Sequence, residues 1–169
     1  MSDYWKEIEA TSSPAPASTA EFLVPTNAKL LRQIGAAAVW VWVFAAFSVV
    51  NLILAYLRGP IRMSVSLFFT ELGFEFGRAA GPGLTVVALL LDAFVIGGVV
   101  VLGFLVKRGF AWAFFAGIIL LTGDAVLIYF LTTLAGVWPF ILHSLAIYFL
   151  VLGWKAAKIN RVRKANGQI

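Results

Sequence analysis

The sequence predicts an all-α membrane protein, a bundle of four transmembrane helices with an amphipathic helix in the membrane interface between the first two. Of the 169 residues, 62% are hydrophobic and 12% charged, far from the roughly half apolar and quarter charged make-up of soluble domains. The apolar residues, 15 Phe and 6 Trp among them, gather into four long runs of the length a bilayer requires. Basic residues punctuate the ends of those runs, as topology signals do.

The first span covers 34–57, entered past Lys29 and Arg32 and closed by Arg58, Gly59 and Pro60. At about 1.5 Å per residue it reaches roughly 36 Å, enough to cross a hydrocarbon core of about 30 Å with some tilt. The second, 84–106, stops at Lys107-Arg108-Gly109, and the third, 110–134, follows at once. That spacing predicts an antiparallel hairpin. The fourth, 137–154, carries Pro139 in its first turn, where the backbone N–H has no intrahelical partner to lose. Residues 34–154 are thus read as one membrane domain.

Residues 1–33 read as a flexible cytoplasmic tail. Their mixed-charge start, with Trp5, and the Ser/Thr/Pro/Ala run at 11–20 offer no helical period and little to bury. Residues 155–169 read as a basic cytoplasmic tail. A cleaved signal peptide would place a short apolar core near the start, so the first apolar run is expected to be a retained helix.

Between the first two spans, 61–78 is too polar to cross. Drawn as a helix, it sets Ile61, Val65, Phe68, Phe69, Leu72 and Phe76 on one face and Ser66, Thr70, Gly73 and Gly77 opposite. That pattern predicts a helix lying flat in the interface with its phenylalanines toward apolar atoms. The alternation over 61–67 would suit a strand, but a lone strand beside lipid leaves its backbone unpaired. Glu71 and Glu75 read as the solvated edge of this helix.

With the N-terminus inside, ten basic residues fall on the cytoplasmic side: Lys6, Lys29, Arg32, Lys107, Arg108, Lys155, Lys158, Arg161, Arg163 and Lys164. Only Arg58, Arg62 and Arg78 fall outside, so both termini are expected in the cytoplasm. Topology also accounts for the net charge of +5 without a nucleic-acid partner. The chain has no cysteine, which excludes disulfides, thiol nucleophiles, Cys-based zinc sites and quinone-linked disulfide chemistry.

Ionisable residues inside a membrane are costly and usually face a bundle interior. Here they are Asp92, Asp124 and His143, with Asn51 as a fourth strongly polar group. Each comes from a different span at a similar level. One reading is a hydrogen-bonded layer that fixes helix register, His143 satisfied by Asp124 and Asn51 by backbone or Asp92. The other is a site for an ion, a small molecule or a relayed proton. The residues come singly, without an E-x-x-H pair, so no metal is expected. Ala93 and Gly97 in the second span and Ala113 and Gly117 in the third are spaced for close helix packing, within the hairpin first and between copies second. Trp40, Trp42, Trp112, Trp138 and Trp154 are placed as anchoring belts.

The run Lys107-Arg108-Gly109-Phe110-Ala111-Trp112-Ala113-Phe114, then Gly117 and Asp124-Ala125, and later His143 before Leu145-Ala146-Ile147-Tyr148-Phe149 and Gly153, resembles an uncharacterised family of small four-helix bacterial membrane proteins. The likeness spans 34–158 and is densest over 107–153. It implies bacterial origin and topology, and no mechanism.

Short loops, no nucleophile arrangement and no phosphate loop lead to the expectation of a non-enzymatic integral membrane protein without cofactor, an accessory or self-associating structural subunit. The alternative is a small oligomeric transporter or proton-coupled carrier using the Asp/His layer. Expected partners are the bilayer of a bacterial inner membrane, anionic lipid head groups at the basic C-terminal tail, and a homo-oligomer or larger membrane complex.

Overall fold

The computed structural model describes residues 25–57, 67–131 and 137–167. They form α1 (Asn27–Tyr56), α2 (Phe68–Ala80), α3 (Pro82–Lys107), α4 (Ala111–Leu131) and α5 (Val137–Ala165). All but α2 are long and apolar enough to cross a membrane, and there is no strand among the described residues. α1 packs most extensively on α5 and α3, and α4 packs on α5. α3 and α4 meet at their turn but touch only lightly beyond it, while α2 lies along α3 and also reaches α1 and α4.

Helix ends follow local chemistry. Thr26 caps α1, its hydroxyl accepting from the Lys29 N–H at 3.3 Å. Residues 27–33, assigned to the tail by composition, are therefore the first turns of α1. Leu30 there begins a buried stripe that continues through Ile34, Ala37, Val41, Phe44, Ser48, Asn51 and Ala55, the three- and four-residue steps of an amphipathic helix. At the other terminus α5 runs past Trp154 to Ala165, so most of the basic tail is helical. Lys, Arg and Ala are good helix formers, and Arg163 and Lys164 in the last turn complement the helix dipole. Arg163 Nη1 donates to Asn27 Oδ1 at 2.8 Å and ties the two helix ends together. The first 24 residues with Trp5, residues 58–66 with Ile61, Val65 and Ser66, and residues 132–136 and 168–169 lie outside the described residues.

α2 turns into α3 through one residue. Gly81 has φ 117°, a left-handed conformation that favours glycine, and Pro82 then opens α3. The Thr85 hydroxyl donates to the carbonyls of Gly77 (3.2 Å) and Gly81 (3.0 Å), serving the exposed end of α2. α3 ends in a Schellman motif: Gly109, at φ 79°, donates to the Val106 carbonyl at 2.8 Å, and Phe110 donates to Leu105 at 3.1 Å.

The amphipathic helix starts at Phe68 and divides its phenylalanines between the bundle and the outside. Thr70, Phe74 and Gly77 are buried against the bundle, whereas Phe76 is 68% exposed. The reason is the solvent. Lipid is as apolar as phenylalanine, so helix contacts form where small residues let backbones approach. A Cβ on Gly77 would lie 2.6 Å from Ala88 Cβ and 2.8 Å from the Leu84 carbonyl oxygen.

The same device closes the bundle elsewhere. A Cβ on Gly153 of α5 would lie 2.7 Å from Ala37 Cβ and 2.8 Å from the Phe114 ring, and one on Gly103 of α3 would meet the Trp42 indole at 2.2 Å. Trp42 donates from Nε1 to the Val100 carbonyl at 3.2 Å, and Trp40 stacks on Phe149. These two tryptophans hold helices to one another rather than only anchoring span ends. Gly103→Ala and Gly153→Ala should each lower thermal stability in detergent by about 1–3 kcal/mol through overpacking. Gly97→Ala meets nothing within 4 Å and should leave stability unchanged or raise it slightly; a loss equal to that of Gly103→Ala would contradict the packing described.

Candidate functional site

The site follows from where α2 begins. Asp124 lies seven residues before the end of α4, roughly 10 Å along its axis at about 1.5 Å per residue, and the first turn of α2 sits on it. A helix leaves its first N–H groups without intrahelical acceptors, and here Leu67, Ser48, Thr70 and Asp124 around them are buried away from solvent. Each of these donors has a partner here. The Leu67 N–H donates to Ser48 Oγ at 2.9 Å. The Phe68 N–H donates to Asp124 Oδ2 at 3.0 Å and the Phe69 N–H to Oδ1 at 3.1 Å. The Thr70 N–H reaches the Leu67 carbonyl at 3.3 Å. Ser48 in turn donates to the Phe44 carbonyl at 2.8 Å, and the Thr70 hydroxyl to the Leu67 carbonyl at 2.7 Å.

Asp124 is held from behind by His143. The ring Nε2 lies 2.9 Å from Asp124 Oδ2, and Nδ1 lies 2.7 Å from the Pro139 carbonyl oxygen. A carbonyl only accepts, so Nδ1 carries a proton and donates. The contact between Nε2 and the carboxyl then needs a second proton, on the ring or on Asp124. With that proton the pair is neutral as a unit, which lowers the cost of enclosing two groups that are each 1% exposed. Phe44 meets the imidazole edge-on at 4.7 Å between ring centres and closes the remaining side.

Asn51 and Asp92 meet α2 further along. Asn51, fully buried, donates from Nδ2 to the Glu71 carboxylate in the first turn of α2. Glu71 is therefore a half-buried partner of the bundle and not a solvated edge. Glu75 pairs with Arg78 on the helix surface, an arrangement worth little in stability. Asp92 faces α2 at Gly73, where a Cβ would stand 3.4 Å from Asp92 Oδ1. Its Oδ2 is buried and has no hydrogen-bond partner. The structure thus joins Asp124 to His143 and Asn51 to Glu71, and leaves Asp92 bonded to none of them. Among the described residues no three His, Asp or Glu side chains converge as a metal would require.

Ser48 was not among the residues singled out by sequence, and Glu71 was read there only as part of a solvated edge. The signal for Ser48 is its place on the Phe44, Ser48, Asn51 stripe of α1, the face that also carries the buried Asn51. Of the small residues, Ala113 is fully buried and Gly117 packs on Leu150 of α5, its virtual Cβ 3.2 Å from that side chain. Ala93 and Gly97 instead lie on the exposed side of α3, beside an apolar groove of about 720 Å³ between α3 and α4 floored by Gly97, Gly98 and Ala116.

A scan against protein-family models finds no match, and searches of the curated proteins and of the solved structures find none either.

Replacing Asp124 removes two acceptors from the start of α2 and strands His143. Asp124→Ala should cost about 3–5 kcal/mol, the range for breaking a buried pair, and Asp124→Asn about 1–3 kcal/mol, since one acceptor oxygen remains. Hydrogen exchange should speed up first at the Phe68 and Phe69 amides while the central turns of α1 and α5 stay protected. Uniform loss of protection across all helices would mean that Asp124 holds the whole bundle and not α2 specifically.

Proposed function

We propose that the protein is a non-enzymatic integral membrane protein, an accessory or self-associating structural subunit whose four long helices hold a short fifth helix at bilayer depth. The observation that carries this reading is the use of Asp124: its carboxyl group takes the backbone of Phe68 and Phe69 on one side and His143 on the other. A carboxylate engaged in this way is a structural acceptor, with its strongest hydrogen-bonding directions spent on its own chain. Self-association is supported by Ala93, Gly97 and Gly98, exposed on one side of α3 where a second helix can approach closely. The compartment in this reading is a bacterial inner membrane with both termini cytoplasmic. Lys107 and Arg108 of the α3–α4 turn stand beside Arg161 and Lys164 of α5 at one end of the bundle, the arrangement the positive-inside rule associates with the cytoplasm.

One observation favours a second reading, a small proton-coupled carrier. Asp92 Oδ2 is buried without a hydrogen-bond partner, the environment in which intramembrane carboxyls of carriers take up and release protons.

Proteoliposomes loaded with a pH-sensitive dye separate the two. The structural reading expects wild-type flux no greater than that of protein-free vesicles, and His143→Gln destabilised in detergent. Flux through the wild type that Asp92→Asn abolishes at unchanged thermal stability would replace it with the carrier. Topology is checked separately: reporters fused after Ile169 and after Lys107 should register as cytoplasmic and one near Ala135 as external. A cytoplasmic signal at Ala135 would overturn the assigned orientation.

A further inference from the structure

At the end of the bundle away from Asp124, the α3–α4 turn, the start of α1 and the last turns of α5 enclose a pocket of about 260 Å³. Four cationic side chains line it, Lys107 and Arg108 from the turn and Arg161 and Lys164 from α5, together with the Asn160 amide. Its apolar floor includes Leu31 and Ile34 of α1. The walls are fixed by backbone. Gly109 packs its left-handed turn against Ala157, and Arg161 Nη2 donates to the Gly109 carbonyl at 2.6 Å.

None of these four cations has a carboxylate partner among the described residues; the ion pairs there are Arg78 with Glu75 and His143 with Asp124. Helix dipoles do not settle the matter, since α1 and α4 start at this end while α3 and α5 finish there. The side chains decide the sign. Four positive charges around a polar hollow over an apolar floor are complementary to one ligand chemistry, a phosphate ester attached to hydrocarbon.

We propose that this pocket binds the head group of an anionic phospholipid, with Lys107, Arg108, Arg161 and Lys164 around the phosphate, Asn160 as a neutral hydrogen-bonding group, and the glycerol end of the acyl chains against Leu31 and Ile34. The site rests on the protein being membrane-embedded. It does not depend on whether the bundle is a structural subunit or a carrier, and the test reads lipid retention, not flux.

Full-length protein in mild detergent is titrated with phosphatidylglycerol, with phosphatidylcholine and with inorganic phosphate, following bound lipid by native mass spectrometry and the thermal midpoint. The proposal expects discrete binding of phosphatidylglycerol and a raised midpoint, with little from phosphatidylcholine. The paired variant Lys107→Gln with Arg108→Gln should weaken phosphatidylglycerol binding roughly 30-fold, as the loss of two basic contacts near a lipid head group implies. Lys155→Gln with Lys158→Gln removes the same charge from outside the pocket and should change it less than threefold. Should the turn variant not fold, Arg161→Gln with Lys164→Gln tests the opposite wall with the same expectation. Equal losses in the pocket and control variants would overturn the site in favour of diffuse attraction. Inorganic phosphate binding as tightly as the lipid would overturn the lipid as its ligand. Absence of any preference for phosphatidylglycerol in the full chain would also overturn it, as follows if the carboxylates of Asp3, Glu7, Glu9 and Glu21 fill the pocket.

Discussion

A helix whose first turn is buried among apolar helices presents backbone N–H groups with nothing to donate to, and the rest of the polar architecture follows from that constraint. Each such group left unpaired costs on the order of a few kcal/mol in hydrocarbon. α2 begins there, so an acceptor is required on each neighbouring helix that its first turn meets. Ser48 serves one N–H and Asp124 serves two. A carboxylate suits this position because it accepts from two amides at once and its charge is favoured at the positive end of the helix dipole. The same carboxyl group is held from behind by His143, itself fixed by the Pro139 carbonyl. Pro139 near the start of α5, His143 one turn later and Asp124 across on α4 form one chain of dependence that ends at Phe68 and Phe69.

The packing obeys a rule opposite to that of soluble bundles. In water Phe76 of α2 would be driven inward instead of standing 68% exposed. Between helices in lipid the favourable surface is the one that permits closest approach, which is why Gly77 meets Ala88, Gly153 meets Ala37 and Gly103 meets Trp42. Large apolar side chains such as Phe94, 81% exposed, face outward at no cost where the surroundings are acyl chains.

This inversion also marks what the sequence could and could not reveal. Four apolar runs and the basic residues at their ends suffice for the four long helices, because length and hydropathy are local properties. Asp124 and His143 were visible as rare intramembrane groups on adjacent spans. Their purpose was not, because it depends on the start of α2, a feature of tertiary placement that the spacing of apolar residues over 61–78 does not reveal. Glu71 was misread for the same reason, since nothing local distinguishes a carboxylate at a solvated edge from one that reaches Asn51. The start of α1 and the end of α5 were obscured by charge. Lys29, Arg32 and the basic residues after Trp154 look like tail by composition yet are compatible with helix.

The two ends of the molecule handle charge in opposite ways, and the local dielectric explains the difference. Around α2, low dielectric makes an unpartnered polar group expensive, so Asp124 is met by His143, and Glu71 accepts from the Asn51 amide, inside the chain. At the basic end, head groups and water lower that cost, and Lys107, Arg108 and Lys164 are exposed with no carboxylate partner among the described residues. Internal pairing there would work against orientation, because the net positive charge near the spans is what fixes a helix bundle in the membrane. The internal contacts at the other end hold α2 in place, whereas the exposed cations leave this end free of carboxylate partners among the described residues.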